Sequence, residues 1–159
     1  MNKKFFLLLV FVAALFYQCA GPEVIFDESV TFENQKWHRF NNLEFETLVD
    51  ASKKEFDIEF VLKYSEDFQY DMIPIHVILQ TPSGEERIRE VEINIRYGDG
   101  KLIGENFNGI ITLKKLLWKE FSFNDKGKVT ISIENIFPKI ETDNIISAGV
   151  LIKECEYTN

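Results

Sequence analysis

FDIEFVLKY, residues 56–64, carries the clearest structural pattern in the chain. Its apolar side chains occupy every second position, at Phe56, Ile58, Phe60, Leu62 and Tyr64. Mostly polar residues stand between them. Successive side chains of a β-strand point to opposite faces, so a period of two predicts a strand with one face in a hydrophobic core.

The same alternation recurs along the rest of the chain after residue 22. It predicts further strands at residues 23–32, 43–49, 73–79, 88–97, 119–123, 129–134 and 145–154. Turn signals separate several of them, at residues 81–85 (TPSGE), 98–100 (GDG) and 124–127 (NDKG). About eight short strands predict an all-β fold, an antiparallel β-sandwich of jelly-roll type, in one domain over residues 23–159.

Three segments interrupt this pattern. Residues 112–118 (TLKKLLW) predict one or two helical turns, with Leu113, Leu116 and Leu117 on one side. Residues 34–42 and 101–109 read as irregular, polar or glycine-spaced connections. We therefore expect these segments to lie outside the strands.

The N-terminus indicates export. Lys3 and Lys4 precede an apolar run of twelve residues, 5–16 (FFLLLVFVAALF). A bilayer-spanning helix needs about 20 apolar residues, so this run is too short to span. Positive charge followed by a short apolar core is typical of a secretory signal, which we place at residues 1–18.

Cys19 follows this leader, and the arrangement resembles a bacterial lipoprotein signal, in which a lipidated cysteine becomes the first residue. The resemblance implies acyl chains such as palmitate on Cys19 and a short tether over residues 19–22. Phe16, Tyr17 and Gln18 stand where such signals usually carry smaller residues. Cleavage as an ordinary secreted protein and an uncleaved leader are the alternatives.

Charge limits the classes of partner. The 141 residues after residue 18 contain 16 lysines and arginines against 26 acids, a net charge of −10. Phosphate backbones and anionic lipid surfaces repel such a domain, so we expect no nucleic-acid partner. Membrane attachment would then depend on the acyl chains rather than on a basic face.

Few residues offer chemistry. Cys19 and Cys155 are the only cysteines, and His38 and His76 the only histidines, so we expect no metal, no cofactor and no catalytic residue. A disulfide between the cysteines stays open, but Cys155 reads as a structural residue at the end of the last strand rather than a nucleophile. The acids are too numerous to single out a catalytic pair, which ranks a hydrolase last.

Aromatic side chains at strand ends have two possible roles. They can seal the core, or they can contact a ligand or partner. The candidates are Trp37, Tyr64, Tyr70, Tyr97 and Trp118, of which we single out Trp37, Tyr70 and Trp118 for contact. If they stacked on sugars, the protein would be an exported carbohydrate-binding module. We hold that function as the alternative to a protein-interaction role.

A series of short segments resembles one family in order and spacing. The segments are KWH (36–38), LEF (43–45), PSG (82–84), GDGKLIG (98–104), LWKE (117–120), KG (126–127), ISIE (131–134) and ISAGVLIK (146–153). Together they resemble gliding motility lipoproteins of the GldH type from Bacteroidota. The resemblance implies a non-enzymatic lipoprotein of the cell envelope, anchored in the outer membrane and linked to other gliding or secretion machinery proteins, with no small-molecule ligand.

Overall fold

The computed structural model describes residues 22–50 and 54–155, and within them the regular structure is β-strand apart from one 3₁₀ turn, Glu33–Gln35. The strands are β1 Val24–Thr31, β2 Lys36–His38, β3 Leu43–Val49, β4 Glu55–Ser65, β5 Met72–Gln80, β6 Glu86–Asn94, β7 Glu105–Phe107, β8 Ile110–Ser122, β9 Gly127–Asn135, β10 Glu141–Asp143 and β11 Ile145–Glu154.

Two antiparallel sheets form a sandwich. The first sheet has the order β1-β11-β4-β8-β7, and the second has the order β3-β9-β5-β6. The eight longest strands follow jelly-roll connectivity, because the orders β1-β11-β4-β8 and β3-β9-β5-β6 are those of two Greek keys. The predicted fold is therefore confirmed. The three additional strands, β2, β7 and β10, have three residues each, too few to produce a readable alternation.

Strand β4 lies at the middle of the first sheet, paired with β11 on one side and β8 on the other. Its five apolar side chains at even positions are all buried, as the alternation predicts. They pack against residues of the facing sheet, such as Ile75 and Ile131, in one hydrophobic cluster. Each such side chain stabilises the fold by about 1.5–3 kcal/mol relative to an exposed one.

The helical expectation for residues 112–118 is wrong, because this segment is extended within β8. Ile58 and Glu59 are adjacent on β4, but they pair with Trp118 and Leu116, so Leu117 is an extra residue in β8. Such a β-bulge breaks the period of two. Leu117 and Trp118 are consequently both buried, and their succession imitates one side of a helix.

The turn at residues 98–100 is confirmed. The Gly100 N–H donates to the Tyr97 carbonyl oxygen at 2.9 Å, and Gly100 has φ +84°, which glycine adopts without strain. The buried Tyr64 hydroxyl of β4 donates to the Ile103 carbonyl oxygen at 2.7 Å and so attaches this hairpin to the sandwich. Burial raises the pKa of Tyr64 to about 12, so the hydroxyl stays a donor at any physiological pH.

Strands β2 and β10 form a separate two-stranded sheet at one end of the sandwich. The fully buried Asn135 side chain attaches it, since its Nδ2 donates to Thr142 Oγ1 at 3.1 Å. Its Oδ1 accepts from the Phe137 N–H at 3.0 Å. The same Nδ2 also donates to the Trp37 carbonyl oxygen at 3.4 Å, so this buried amide links both β2 and β10 to the end of β9.

We predict that Asn135→Ala lowers the free energy of unfolding by about 1–3 kcal/mol, because it leaves buried polar groups without partners. Urea denaturation measures the change. Asn94→Ala is the matched control, since Asn94 is exposed at the end of β6. Equal stability of the two variants would show that the amide does not hold β2 and β10 in place.

Gly149 lies opposite Ser29, where β1 pairs with β11. A Cβ added to Gly149 would lie 2.6 Å from Ser29 Cβ and would also meet the Glu28 backbone oxygen. The close approach of β1 therefore requires a residue without a side chain.

We predict that Gly149→Ala displaces β1 and lowers the free energy of unfolding by about 1–3 kcal/mol, the usual cost of overpacking. Gly98→Ala serves as the control, because a Cβ there meets no atom within 4 Å. Chemical denaturation of both variants should give a loss for Gly149→Ala alone. A stable Gly149→Ala variant would contradict the close β1 packing.

Candidate functional site

Trp37 is completely buried in β2. Its ring stacks on Phe32 with centroids 5.2 Å apart and lies 6.4 Å from Phe60, and its Nε1 donates to the Asn41 carbonyl oxygen at 3.2 Å. Of the two roles left open by the sequence, core packing is the one that this position supports. Trp37 presents no surface to a ligand.

Trp118 of β8 is 5% exposed. It lies at the edge of the sandwich, where β8 faces β6. The Arg89 guanidinium lies over its ring, 5.1 Å from the centroid, and donates to the Leu117 carbonyl oxygen. A cleft of about 520 Å³ adjoins it. Arg87 pairs there with Glu85 at 2.5 Å, and Lys119 pairs with Glu120 at 2.9 Å, so most cations of the cleft already have partners.

Tyr70 is half-buried in an aromatic row. Its ring centroid lies 5.5 Å from that of Phe68 and 4.8 Å from that of Phe137, and Lys139 Nζ lies 5.0 Å above the ring. Of the three aromatic residues predicted to contact a partner, Tyr70 has the most accessible side chain.

The sandwich has two ends with different composition. The first, which we name the N-terminal end, carries residue 22, the turns at residues 81–85 and 123–126, and Cys155. Cys155 lies beside the start of β4, where its N–H donates to the Glu55 carbonyl oxygen. The opposite end, which we name the distal end, carries residues 32–42, 66–71, 95–109 and 136–144.

Exposed apolar side chains concentrate at the distal end. Of ten large apolar residues exposed in the described part of the chain, four lie at this end, Phe40, Tyr97, Phe107 and Ile140, and Val30 and Ile110 lie on the ends of β1 and β8 that adjoin it. All three exposed aromatic residues are among them. Contiguous apolar surface on a soluble domain is typical of an interaction site, whereas scattered residues are normal.

Two pairs form within this set. Phe40 and Ile140, 75% and 63% exposed, are brought close by a hydrogen bond from the Arg39 N–H to the Ile140 carbonyl oxygen at 2.8 Å. Phe107 and Ile110 face each other across the β7–β8 turn. Sequence reasoning missed these residues. The available signal was an aromatic residue among turn-forming neighbours, as in RFNN (39–42) and NFNG (106–109).

The remaining candidate residues offer no catalytic arrangement in the described chain. Cys155 is a free thiol whose Sγ donates to Asp57 Oδ1 at 3.4 Å. Burial, and then the Asp57 carboxylate, raise the pKa of the Cys155 thiol to about 11, which leaves it a poor nucleophile. His76 Nδ1 lies 3.3 Å from Glu134 Oε2, and His38 Nδ1 accepts from the Phe40 N–H at 3.3 Å.

No cluster of three metal-ligating side chains occurs among the residues that the structure describes. The same residues include no helix with the length and apolar character needed to cross a membrane. The predicted signal at residues 1–18 and Cys19 lie outside the described residues.

Comparison with solved structures returns structures of infectious bursal disease virus at low similarity. The crystal structure of the VP2 subviral particle of infectious bursal disease virus aligns with a TM-score of 0.40 and 11% identity. The alignment covers 87% of this chain and 34% of the viral chain, so this chain spans about a third of the length of that chain.

Comparison with known sequences returns two gliding motility proteins. Gliding motility lipoprotein GldH of Flavobacterium johnsoniae is 27% identical over 124 residues, which cover 78% of this chain and 77% of that protein. The GldH homolog of Christiangramia forsetii is 25% identical over 133 residues, covering 83% and 80%. A sequence model of the GldH lipoprotein family matches residues 24–152, from the start of β1 almost to the end of β11. The chain therefore belongs to the GldH lipoprotein family.

Proposed function

We propose that this protein is a non-catalytic lipoprotein of the cell envelope that acts in gliding motility as an accessory component of the motility or secretion apparatus. In this proposal residues 1–18 are removed, acyl chains on Cys19 hold the protein at the outer membrane, and the distal end contacts another envelope protein. Family membership and the names of the two relatives support the role in motility. The concentration of exposed apolar side chains at the distal end supports the contact.

The proposed anchor would orient the sandwich. Four residues, 19–22, span at most about 14 Å, so the N-terminal end would stay close to the membrane. Strand β4 has 11 residues, which at about 3.3 Å each extend roughly 36 Å. The distal end would therefore face away from the lipid, where it can meet a second protein.

Charge favours an acyl anchor over adsorption of the folded domain. Acids outnumber lysines and arginines by 26 to 18 in the whole chain, and anionic lipid headgroups repel a surface of this sign. Several acyl chains on one terminus hold a protein stably without such a contact.

The anchor predicts a specific effect of Cys19→Ala. We expect the variant to lose the diacyl or triacyl mass and to move from the membrane fraction to the soluble fraction, with loss of cell spreading. Intact-mass analysis and membrane fractionation measure these changes. Cys155→Ala is the matched control and should stay acylated. A Cys19→Ala variant that remains in the membrane and supports spreading would contradict the anchor.

The contact predicts that Phe40→Ser impairs motility without unfolding the protein. Phe40 is 75% exposed at the distal end, so its loss changes the proposed contact and leaves the core intact. Leu48→Ser is the matched control, since Leu48 is 77% exposed outside the distal end. Colony spreading at equal protein level should fall for Phe40→Ser alone. Equal spreading of both variants would argue against the distal end as the contact surface.

A further inference from the structure

A groove of about 320 Å³ crosses the outer face of the first sheet close to the distal end. Thr31, Ser147, Lys63 and Thr112 follow one another in register across β1, β11, β4 and β8, and they line this groove. Phe107 and Ile110 form an apolar wall beside them. The groove therefore combines hydroxyl groups, one ammonium group and an apolar surface.

Lys63 has no carboxylate within ion-pairing distance among the described residues. Lys114 lies two positions after Thr112 on the same outer face of the sheet. It also has no carboxylate within ion-pairing distance among the described residues. Six other lysines do have one: Lys36, Lys54, Lys101, Lys119, Lys128 and Lys153. Two unpaired ammonium groups on one face of so acidic a protein are complementary to an anionic ligand.

The apolar wall restricts the class of ligand further. Phe107 is 77% exposed and Ile110 is 40% exposed, so both have surface left to bury. Glu105 of β7 pairs with Thr112 of β8, so it extends the row of groove residues at the end opposite Thr31. Its negative charge disfavours a second carboxylate of the ligand beside Thr112. A ligand that fits has one carboxylate near Lys63 and an apolar group beside it.

We propose that this groove binds a segment of a partner protein in which an aspartate or glutamate lies next to an apolar side chain. The carboxylate of the segment pairs with Lys63, and the apolar side chain packs against Phe107 and Ile110. This inference rests on the proposed role in protein contacts and adds the chemistry of the partner. It is tested separately, because Phe40 does not line the groove.

The test is a titration of the ¹⁵N-labelled purified protein, followed by amide chemical shifts. The probe is an acetylated and amidated peptide of alternating aspartate and leucine. Two control peptides replace aspartate by lysine or leucine by serine. We expect saturable shifts confined to the groove with the first peptide only, weakened as salt is raised from about 50 to about 500 mM.

Two variants test the two parts of the groove separately, the Lys63 ammonium group and the apolar wall. Lys63→Gln should weaken binding by up to about fivefold, the upper end of the range for an exposed ion pair. Phe107→Ser should weaken it by about tenfold or more, because it removes an aromatic contact. The matched controls Lys126→Gln and Leu48→Ser, both exposed outside the groove, should bind as the unaltered protein does.

Three results would overturn the proposal. The first is absence of saturable shifts, or equal binding of the lysine peptide. The second is tighter binding of a hyaluronate oligosaccharide than of the acidic peptide, which would assign the groove to an acidic glycan. The third is a concentration-dependent shift of the groove without peptide, which would assign it to a second copy of this chain. If the groove proposal failed in one of these ways, loss of spreading in Phe40→Ser would still support the proposed role of the distal end in motility.

Discussion

Burial of one face of β4 is the constraint on which the rest of the structure depends. This strand contributes five of the buried side chains and pairs along its length with β8 and β11. Both neighbouring strands must pair with β4 in register. In β8 the register shifts at two bulges opposite Phe56–Glu59. Tyr64, at the end of β4, then positions the hairpin at residues 95–103 through its hydroxyl. The distal end is thus built outward from a single central strand.

The sequence predicts the long strands well and the ends of the sandwich poorly, for physical reasons. Where one face of a strand is buried, alternation of polar and apolar residues is enforced, and each of the eight long strands shows some of it. The bulge at Leu117 removes that alternation and makes β8 resemble a helix. Strands β2 and β10 are hydrogen-bonded to the buried Asn135 amide, a contact between distant residues that no local pattern reveals.

The candidate site shows the same division. Large aromatic residues attract attention in a sequence, yet Trp37 and Trp118 are buried, because big rings are efficient core residues. The aromatic residues exposed in the described part of the chain, Phe40, Tyr97 and Phe107, each precede an asparagine or a glycine and lie in or beside turns, where the core does not need them. A carbohydrate-binding role that depends on Trp37 or Trp118 would require that side chain to leave the core. The proposed protein contact would use the distal end as it stands.

The central claim is that the distal end meets a second protein while the N-terminal end stays at the membrane. Its most direct test places a photo-crosslinking amino acid at Phe40 or at Leu48 and irradiates living cells. The account predicts a discrete protein adduct from the Phe40 position and none from the Leu48 position, although the two side chains are about equally exposed. Adducts from the Leu48 position alone, or equally from both positions, would contradict it.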